Sequence, residues 1–245
     1  MNKTEILGVK VNSVSYLETI ELIGNFLKSG KQHQIVTVNP EFVVAAQSNP
    51  EFKKILNEAS LSLPDGVGLL LASKLQGKRL NTRVTGIDLV EMLAKKGAAA
   101  GWSFFFLGGR GTGEKAAREL KTRYPHLIIK GTFEGDGEES GDQETVAAVK
   151  KSGKVDILLV AYGQVKQEKW IKRNLGKTDV HVAIGVGGAF DFLSGHTSRA
   201  PRILRQVGLE WFYRLFRDPK RINRQLALPK FVFLVVKDRF KSPKI

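Results

Sequence analysis

The chain of 245 residues contains no cysteine. That excludes a disulfide framework, a thiolate nucleophile and any cysteine-ligated metal site. Histidine is scarce as well. His33, His126, His181 and His196 are scattered, and no pair has zinc-ligand spacing. No Asp-x-Asp pair is present to hold a metal-bound nucleotide diphosphate, and no Gly-x-Ser-x-Gly elbow is present to raise a serine nucleophile. Long apolar runs are missing too. The longest near the end, Phe231 to Val236 (FVFLVV), falls far short of the roughly 18 residues that a membrane span needs. The opening MNKTEILGVKV lacks the apolar stretch of about 7–15 residues that marks a secretory leader. The expected location is therefore the cytoplasm.

What is present suits a globular enzyme or binding protein. Hydrophobic residues make up 42% and charged residues 26%, enough for an ordinary core. The net charge is +15. It is distributed unevenly: from Arg199 onward thirteen Lys and Arg face Glu210, Asp218 and Asp238, so this stretch carries +10 of the total. A basic segment of this kind calls for a polyanionic partner: nucleic acid, a phosphorylated substrate or an anionic membrane.

Short β-like runs alternate with helical ones. Strands are expected at 6–9 (ILGV), 34–38, 61–63, 102–107, 127–131, 156–162 and 180–186. Helices are expected over 15–29, from Asn39-Pro40 onward, and over 66–76, 87–98, 113–123, 141–152 and 165–173. This alternation predicts an α/β fold, Rossmann-like, with a mostly parallel sheet and helices on both faces. Beyond Gly195 strands stop and short basic helices follow. The chain divides at that point into an α/β core (1–195) and a basic helical appendage (196–245). In the appendage Trp211, Phe212, Tyr213 and Phe216 are spaced to bury one helix face. An acidic stretch, EGDGEESGDQE (134–144), lacks the ligand spacing of a calcium loop and reads as a solvated loop leading into a helix.

Ligands of open α/β sheets bind beyond the carboxyl ends of the strands. Small and polar residues gather at those ends: Thr37 and Asn39, Asp65, the GGRGTG turn (108–113), YGQVKQEKW (162–170) and GVGGAFD (185–191). A glycine turn that opens a helix offers free N–H groups to phosphate. Named nucleotide motifs nearly fit and fail. Gly108 and Gly113 have Walker A spacing, but Glu114 and Lys115 stand where Lys and Ser/Thr are required. Gly109 and Gly111 are followed by Glu114, which breaks G-x-G-x-x-G. What remains is an aspartate, polar groups, glycine turns and a supply of arginine. These suit general-base chemistry on a phosphorylated substrate, with positive charge from Arg in place of a metal.

Several of these residues have two readings. Asp65 lies in Pro-Asp-Gly just before a helical run, where aspartate commonly caps a helix. Local grounds favour that cap over chemistry. Arg83 is equally well a surface residue, and Gln167 could simply open a helix whose Trp170 packs on the core. The basic segment could instead stack its aromatic residues on bases and serve a nucleic-acid-binding protein.

Seven blocks occurring in order, TVNPEFV, LPDGVG, RVTGIDL, FFFLGG, VAYGQVKQEKWI, GVGGAFDFLSGHTSRAP and GLEWFYRLFRDPKR, resemble the WecG/TagA/CpsF glycosyltransferases over most of residues 35–230. The resemblance implies the glycosyltransferase E-type fold. It implies an inverting enzyme that needs neither metal nor other cofactor. The implied reaction moves an N-acetylhexosamine or related sugar, with N-acetylmannosamine the leading candidate, from a UDP donor. The implied acceptor is a polyprenyl-diphosphate-linked sugar at the anionic inner face of the membrane, undecaprenyl-diphosphate-GlcNAc first among candidates. Such products feed teichoic acid and other surface polymers. The resemblance makes Asp65 the catalytic base and places Thr37, Asn39, Arg83 and Gln167 in the same pocket. It assigns Gly108, Gly109, Gly187, Gly188 and Asp191 to the nucleotide side. Arg214, Arg221 and Arg224 become appendage residues that meet diphosphate. It implies no nucleic-acid partner and leaves homo-oligomer formation open. The acidic 134–144 stretch departs from the glycine- and aromatic-rich sequence expected there, and with it the details of donor recognition.

Overall fold

A computed structural model describes residues 2–78, 80, 82–201, 203–204, 210–217 and 222–241, leaving aside the side chains of 214, 217, 223, 224 and 241. Its first element is a hairpin, β1 (Lys3–Ile6) and β2 (Val9–Asn12). Leu7 and Gly8 make the two-residue turn with φ 51° and 78°, the doubly positive geometry of a tight hairpin. The strand expected at 6–9 is therefore this turn, and Ile6 pairs with Val9 across it. Three apolar residues around one glycine look extended, because a leucine rarely adopts positive φ.

Helix α1 (Tyr16–Lys28) starts with a capping box: Ser15 Oγ accepts from Glu18 N (3.3 Å) and Glu18 Oε2 accepts from Ser15 N (2.7 Å). Strand β3 (His33–Val38) leads into α2 (Pro40–Ser48), α3 (Pro50–Glu58) and β4 (Leu61–Pro64). The two helices begin with the same four residues, Asn-Pro-Glu-Phe. Asn39 Oδ1 accepts from Phe42 N (3.0 Å) and Asn49 Oδ1 from Phe52 N (2.9 Å). No helix was expected at α3, although its cap repeats that of α2.

The rest of the α/β frame follows the expected alternation: α4 (Val67–Leu75), α5 (Gly86–Ala100), β5 (Ser103–Gly108), α6 (Gly113–Arg123), β6 (Ile128–Phe133), α7 (Asp142–Lys151), β7 (Val155–Ala161), α8 (Lys166–Asn174) and β8 (Val180–Gly185); the short α9 (Ala189–Leu193) comes after them, where no helix was expected. The main sheet has six parallel strands in the order β4-β3-β8-β7-β5-β6. Alternate residues of each inner strand enter different cores. Phe104 and Phe106 pack with α1, α5, α6 and α9 on one face, while Phe105 and Leu107 pack with α7 and α8 on the other. Val36 and Val38 of β3 join a third cluster with β1, β2, α2, α3 and α4. Burial on both faces explains why these strands read as continuous apolar runs.

Three helices of the basic segment are described: α10 (Glu210–Arg217), α11 (Ile222–Gln225) and α12 (Ala227–Lys241). Helix α12 lies on α2 and α4. Its Phe231 and Val235 are each 3% exposed within the cluster that contains Val36, Val38, Phe42 and Leu69. Gln76, just past α4, donates to Asp238 Oδ2 (3.1 Å) from the same side. The apolar face of α10 is not buried: Trp211, Phe212 and Phe216 are exposed, contrary to the expectation from their spacing. Helical periodicity identifies a face but not the surface that covers it. Among the described residues no helix is long and apolar enough to cross a membrane.

Candidate active site

Strand β8 sends the chain onto one face of the sheet, into α9, whose Ala189, Phe190 and Leu193 join the Phe104–Phe106 core. Its two neighbours, β3 and β7, send the chain onto the opposite face, into α2 and α8. Backbones that part in opposite directions leave a crevice above the carboxyl end of β8. That crevice is lined by Thr37, Asn39 and Phe42 after β3, Asp65 after β4, Gly163, Gln164 and Gln167 after β7, and residues 186–189 after β8. Thr85, Gly86 and Ile87 at the start of α5 close one side, and Glu210 of α10 reaches in from the basic segment.

Asp65 does not cap the helix that follows it. The N-cap of α4 is Gly66, with φ 131° and ψ 141°, and no side chain serves as cap. The Asp65 carboxylate turns instead toward α5, where its Oδ2 accepts from Gly86 N (3.3 Å), while Asp65 N donates to Val38 O (2.7 Å). A carboxylate at a helix N-terminus is favoured by the unpaired N–H groups and the dipole there. The local preference for a cap gave way because β4 ends beside α5, and only the fold brings the two together.

The start of α5 is itself fastened. Thr85 is its N-cap; Thr85 Oγ1 accepts from Asp88 N (3.3 Å) and donates to Asp88 Oδ2 (2.8 Å). Arg199 grips Asp88 with both terminal nitrogens, at 2.7 and 3.1 Å, and the Tyr16 hydroxyl reaches Asp88 Oδ2 at 3.3 Å. Burial alone would raise the Asp88 pKa, but the Arg199 and Thr85 hydrogen bonds outweigh it and hold the carboxyl below its ordinary value. The chain leaving α9 is thus tied to the helix end that faces Asp65. Thr85, Asp88 and Arg199 lie in blocks that carried the family resemblance, but neither they nor Tyr16 were given a role from sequence.

The opposite wall is held by amides. Gln167 Oε1 accepts from Gly187 N (3.0 Å), and Gln167 is 1% exposed. Thr37 Oγ1 donates to Gly185 O (2.9 Å), so β3 and β8 are joined at the floor. Val165 has φ 72° and ψ −52°, left-handed territory that costs a β-branched residue about 1–3 kcal/mol. Its N–H is held by the carboxylate of Glu168 (2.9 Å), a fully buried residue that sequence reading passed over.

Of the residues singled out from sequence, the cleft brings together Thr37, Asn39, Asp65, Gln167, Gly187 and Gly188. Arg83 is half-buried between α4 and α5 and is not part of the lining. Gly108, Gly109 and Asp191 form a neighbouring group. Gly109 N donates to Ala161 O (3.2 Å), and Asp191 Oδ1 accepts from Thr112 Oγ1 (3.0 Å), which ties α9 to the glycine turn. At Gly108 a Cβ would lie 2.9 Å from Ala161 O, so only glycine fits this turn. The Glu134 carboxylate accepts from Gly111 N beside it. Arg221 lies outside the described residues, as do the side chains of Arg214 and Arg224. Among the described residues no three His, Asp or Glu side chains are grouped to hold a metal ion.

Comparison with known proteins gives this arrangement a family. Residues 4–245 match the Glycosyl transferase WecG/TagA/CpsF family. The chain is 35% identical to an N-acetylglucosaminyldiphosphoundecaprenol N-acetyl-beta-D-mannosaminyltransferase of Bacillus spizizenii (strain ATCC 23059 / NRRL B-14472 / W23), covering all of this chain and 93% of that one. It is 32% identical to the protein of the same name from Staphylococcus aureus (strain MRSA252), covering 99% of this chain and 95% of that one. Both relatives are sugar transferases, which leaves the nucleic-acid reading without support. A match along nearly the whole chain, on an α/β fold with a polar cleft at its strand ends, makes this protein a glycosyltransferase of the WecG/TagA/CpsF family.

Proposed function

We propose that this chain transfers N-acetylmannosamine from a UDP donor to GlcNAc-diphosphoundecaprenol, with inversion at the anomeric carbon and Asp65 as general base. The observation that carries the reading is the Asp65 carboxylate, turned away from its own helix and into a cleft at the carboxyl ends of β3, β7 and β8. The names of the two relatives supply the sugar and the acceptor.

A single displacement needs no enzyme nucleophile. Asp65 takes the proton of the acceptor hydroxyl, that oxygen bonds to the anomeric carbon, and the bond to the UDP oxygen breaks with its electron pair leaving on UDP. Thr37 on β3 and Gly108 on β5 are three strand spacings apart, about 14 Å at roughly 4.8 Å per strand, a span suited to an extended nucleoside diphosphate sugar. On this reading Gly108, Gly109 and Asp191 take the nucleotide side, while Asn39, Arg83 and Gln167 take the sugar side. Arg214, Arg221 and Arg224 meet the diphosphate, where a guanidinium fork can bind two oxygens at once. The basic segment holds the enzyme peripherally on the cytoplasmic face of the membrane.

Incubating the full chain with a soluble short-chain lipid-diphosphate-GlcNAc and a panel of UDP-sugars, with product mass as readout, tests the assignment. The expected product is heavier by one N-acetylhexosamine, formed from UDP-N-acetylmannosamine in preference to the other donors. Efficient transfer from a different donor overturns the sugar assignment, and no transfer from any UDP-sugar overturns the reaction.

A further inference from the structure

We propose that Glu168 is a positioning residue for this reaction: its carboxylate fixes the Gln167 amide and, through it, the Gly187 N–H, so that protonation of this one side chain reshapes a wall of the cleft. The inference rests on the transfer reading of that cleft. Glu168 does not itself line the open cleft. It is 0% exposed, in the first turn of α8, behind the loops that follow β7 and β8.

Both carboxylate oxygens accept. Oε1 takes the Gln167 Nε2 hydrogen (2.6 Å) and Oε2 takes the Val165 N–H (2.9 Å). The Gln167 amide is thereby aimed, and its remaining oxygen meets Gly187 N at 3.0 Å. One carboxylate thus holds a strained turn, a cleft amide and, through that amide, a glycine N–H of the opposite loop. The fit is close. A Cβ at Gly185 would lie 2.5 Å from Glu168 Oε1 and 2.7 Å from Gln167 Nε2, so the strand leaves room for this pair only because it has glycine there. The backbone of Glu168 is pinned as well, with its carbonyl accepting from Gln34 Nε2 of β3 (3.0 Å).

A proton on Glu168 breaks this logic. The acid becomes a donor and needs an acceptor. The Gln167 amide, already 2.6 Å away, supplies one by turning over to offer its oxygen. Its NH₂ then faces Gly187 N–H, donor against donor, and that bond is lost. Burial pushes the Glu168 pKa up to about 8, against the opposing pull of its hydrogen bonds to Gln167 and Val165. The switch therefore falls within reach of ordinary conditions. Several charged groups on the surrounding elements are engaged elsewhere. Glu51 and Glu58 of α3 pair with Lys169 and Lys172, Asp142 of α7 with Arg173, and Lys166 with Glu138. Asp156 of β7 and His181 of β8 face each other, and His33 of β3 meets Ser29 and Ser60.

The test follows the Gly187 amide resonance of the ¹⁵N-labelled full chain between pH 6 and 9.5. A sigmoidal shift centred near pH 8 is expected in the wild type, and none in Glu168→Gln. A flat Gly187 resonance in the wild type, or an unchanged curve in the variant, overturns the proposal; the wild-type titration needs no variant to fold. In the transfer assay, wild-type kcat should rise about tenfold through the same midpoint. The variant should stay near the low-pH value at all pH, with a melting temperature no lower than wild type. Wild-type kcat and pH profile in the variant, or a loss matched by a lower melting temperature, also overturns it. A wild-type chain that transfers no sugar defeats the transferase assignment, while the amide titration still decides whether Glu168 governs Gly187.

Discussion

At the scale of single residues, what matters is where a side chain is aimed. Asp65 occupies a position where aspartate ordinarily closes the first turn of its own helix, yet Gly66 is the cap and Gly86 N receives the carboxylate. Asp65→Asn keeps the size and the acceptor oxygen toward Gly86 and removes the basicity. A positioned general base contributes about 10²–10⁴-fold. We expect a kcat loss of that order with UDP affinity and melting temperature little changed; near-normal turnover would remove Asp65 from the chemistry. Glu168 makes a different prediction. Its folded pKa, about 8, is above the ordinary 4.5, so the folded state holds a proton that the unfolded state has released. The stability this gives is complete below about pH 4.5 and is lost as pH rises through 8, on the order of a few kcal/mol. Denaturant melts should show that decline in the wild type and lack it in Glu168→Gln. A wild-type stability that does not fall between pH 5 and 8.5 would contradict it.

At the scale of elements, α12 has two faces with separate consequences. Phe231 and Val235 are buried against α2 and α4, whereas Phe233 is 64% and Phe240 83% exposed. Phe231 fills space beside Phe42 and Leu69, so of these three phenylalanines only Phe233 and Phe240 are free to meet a lipid surface. Truncating a buried phenylalanine to alanine costs about 3–5 kcal/mol where the cavity persists. A terminal helix can instead detach, and the loss is then limited to its docking energy. Phe231→Ala should therefore speed proteolysis around α12 more than it lowers the melting of the sheet. Phe233→Ala should change stability by less than about 0.5 kcal/mol and should reduce binding to anionic vesicles. Equal effects of the two substitutions on proteolysis would mean that α12 is not docked as described.

At the scale of the molecule, charge decides the approach to a surface. Two thirds of the net charge, +10 of +15, belongs to the residues from Arg199 onward. That stretch also carries the exposed aromatics Trp211, Phe212, Phe216, Phe233 and Phe240. Each basic side chain near an anionic bilayer is worth about 1 kcal/mol, and the attraction fades within a Debye length. On the proposed function, these terms suffice for reversible attachment without a membrane span. Vesicles containing anionic lipid should bind the protein at low salt and release most of it near 1 M salt, in a sedimentation assay. Binding that is as strong to neutral vesicles and insensitive to salt would assign attachment to the aromatics alone.

The order of strands and helices was legible in the sequence because buried parallel strands read as apolar runs and helices carry their caps beside them. Asn39-Pro40, Ser15 with Glu18, and the run from Phe104 to Leu107 each state a local rule that the fold obeys. The glycine turns and the family blocks marked which strand ends would carry polar groups. The sequence did not show that Ile6 and Val9 face each other across a reversal, because only the backbone dihedrals of Leu7 and Gly8 make the turn. Nor did it show that Arg199 holds Asp88 across 111 positions, or that Glu168 rather than Gln167 anchors the β7 loop. Local spacing determines secondary structure because hydrogen bonds and caps act over three or four residues. The target of Asp65, the burial of Phe231 and the seclusion of Glu168 depend on which distant elements meet, and the order of strands in the sheet decides that.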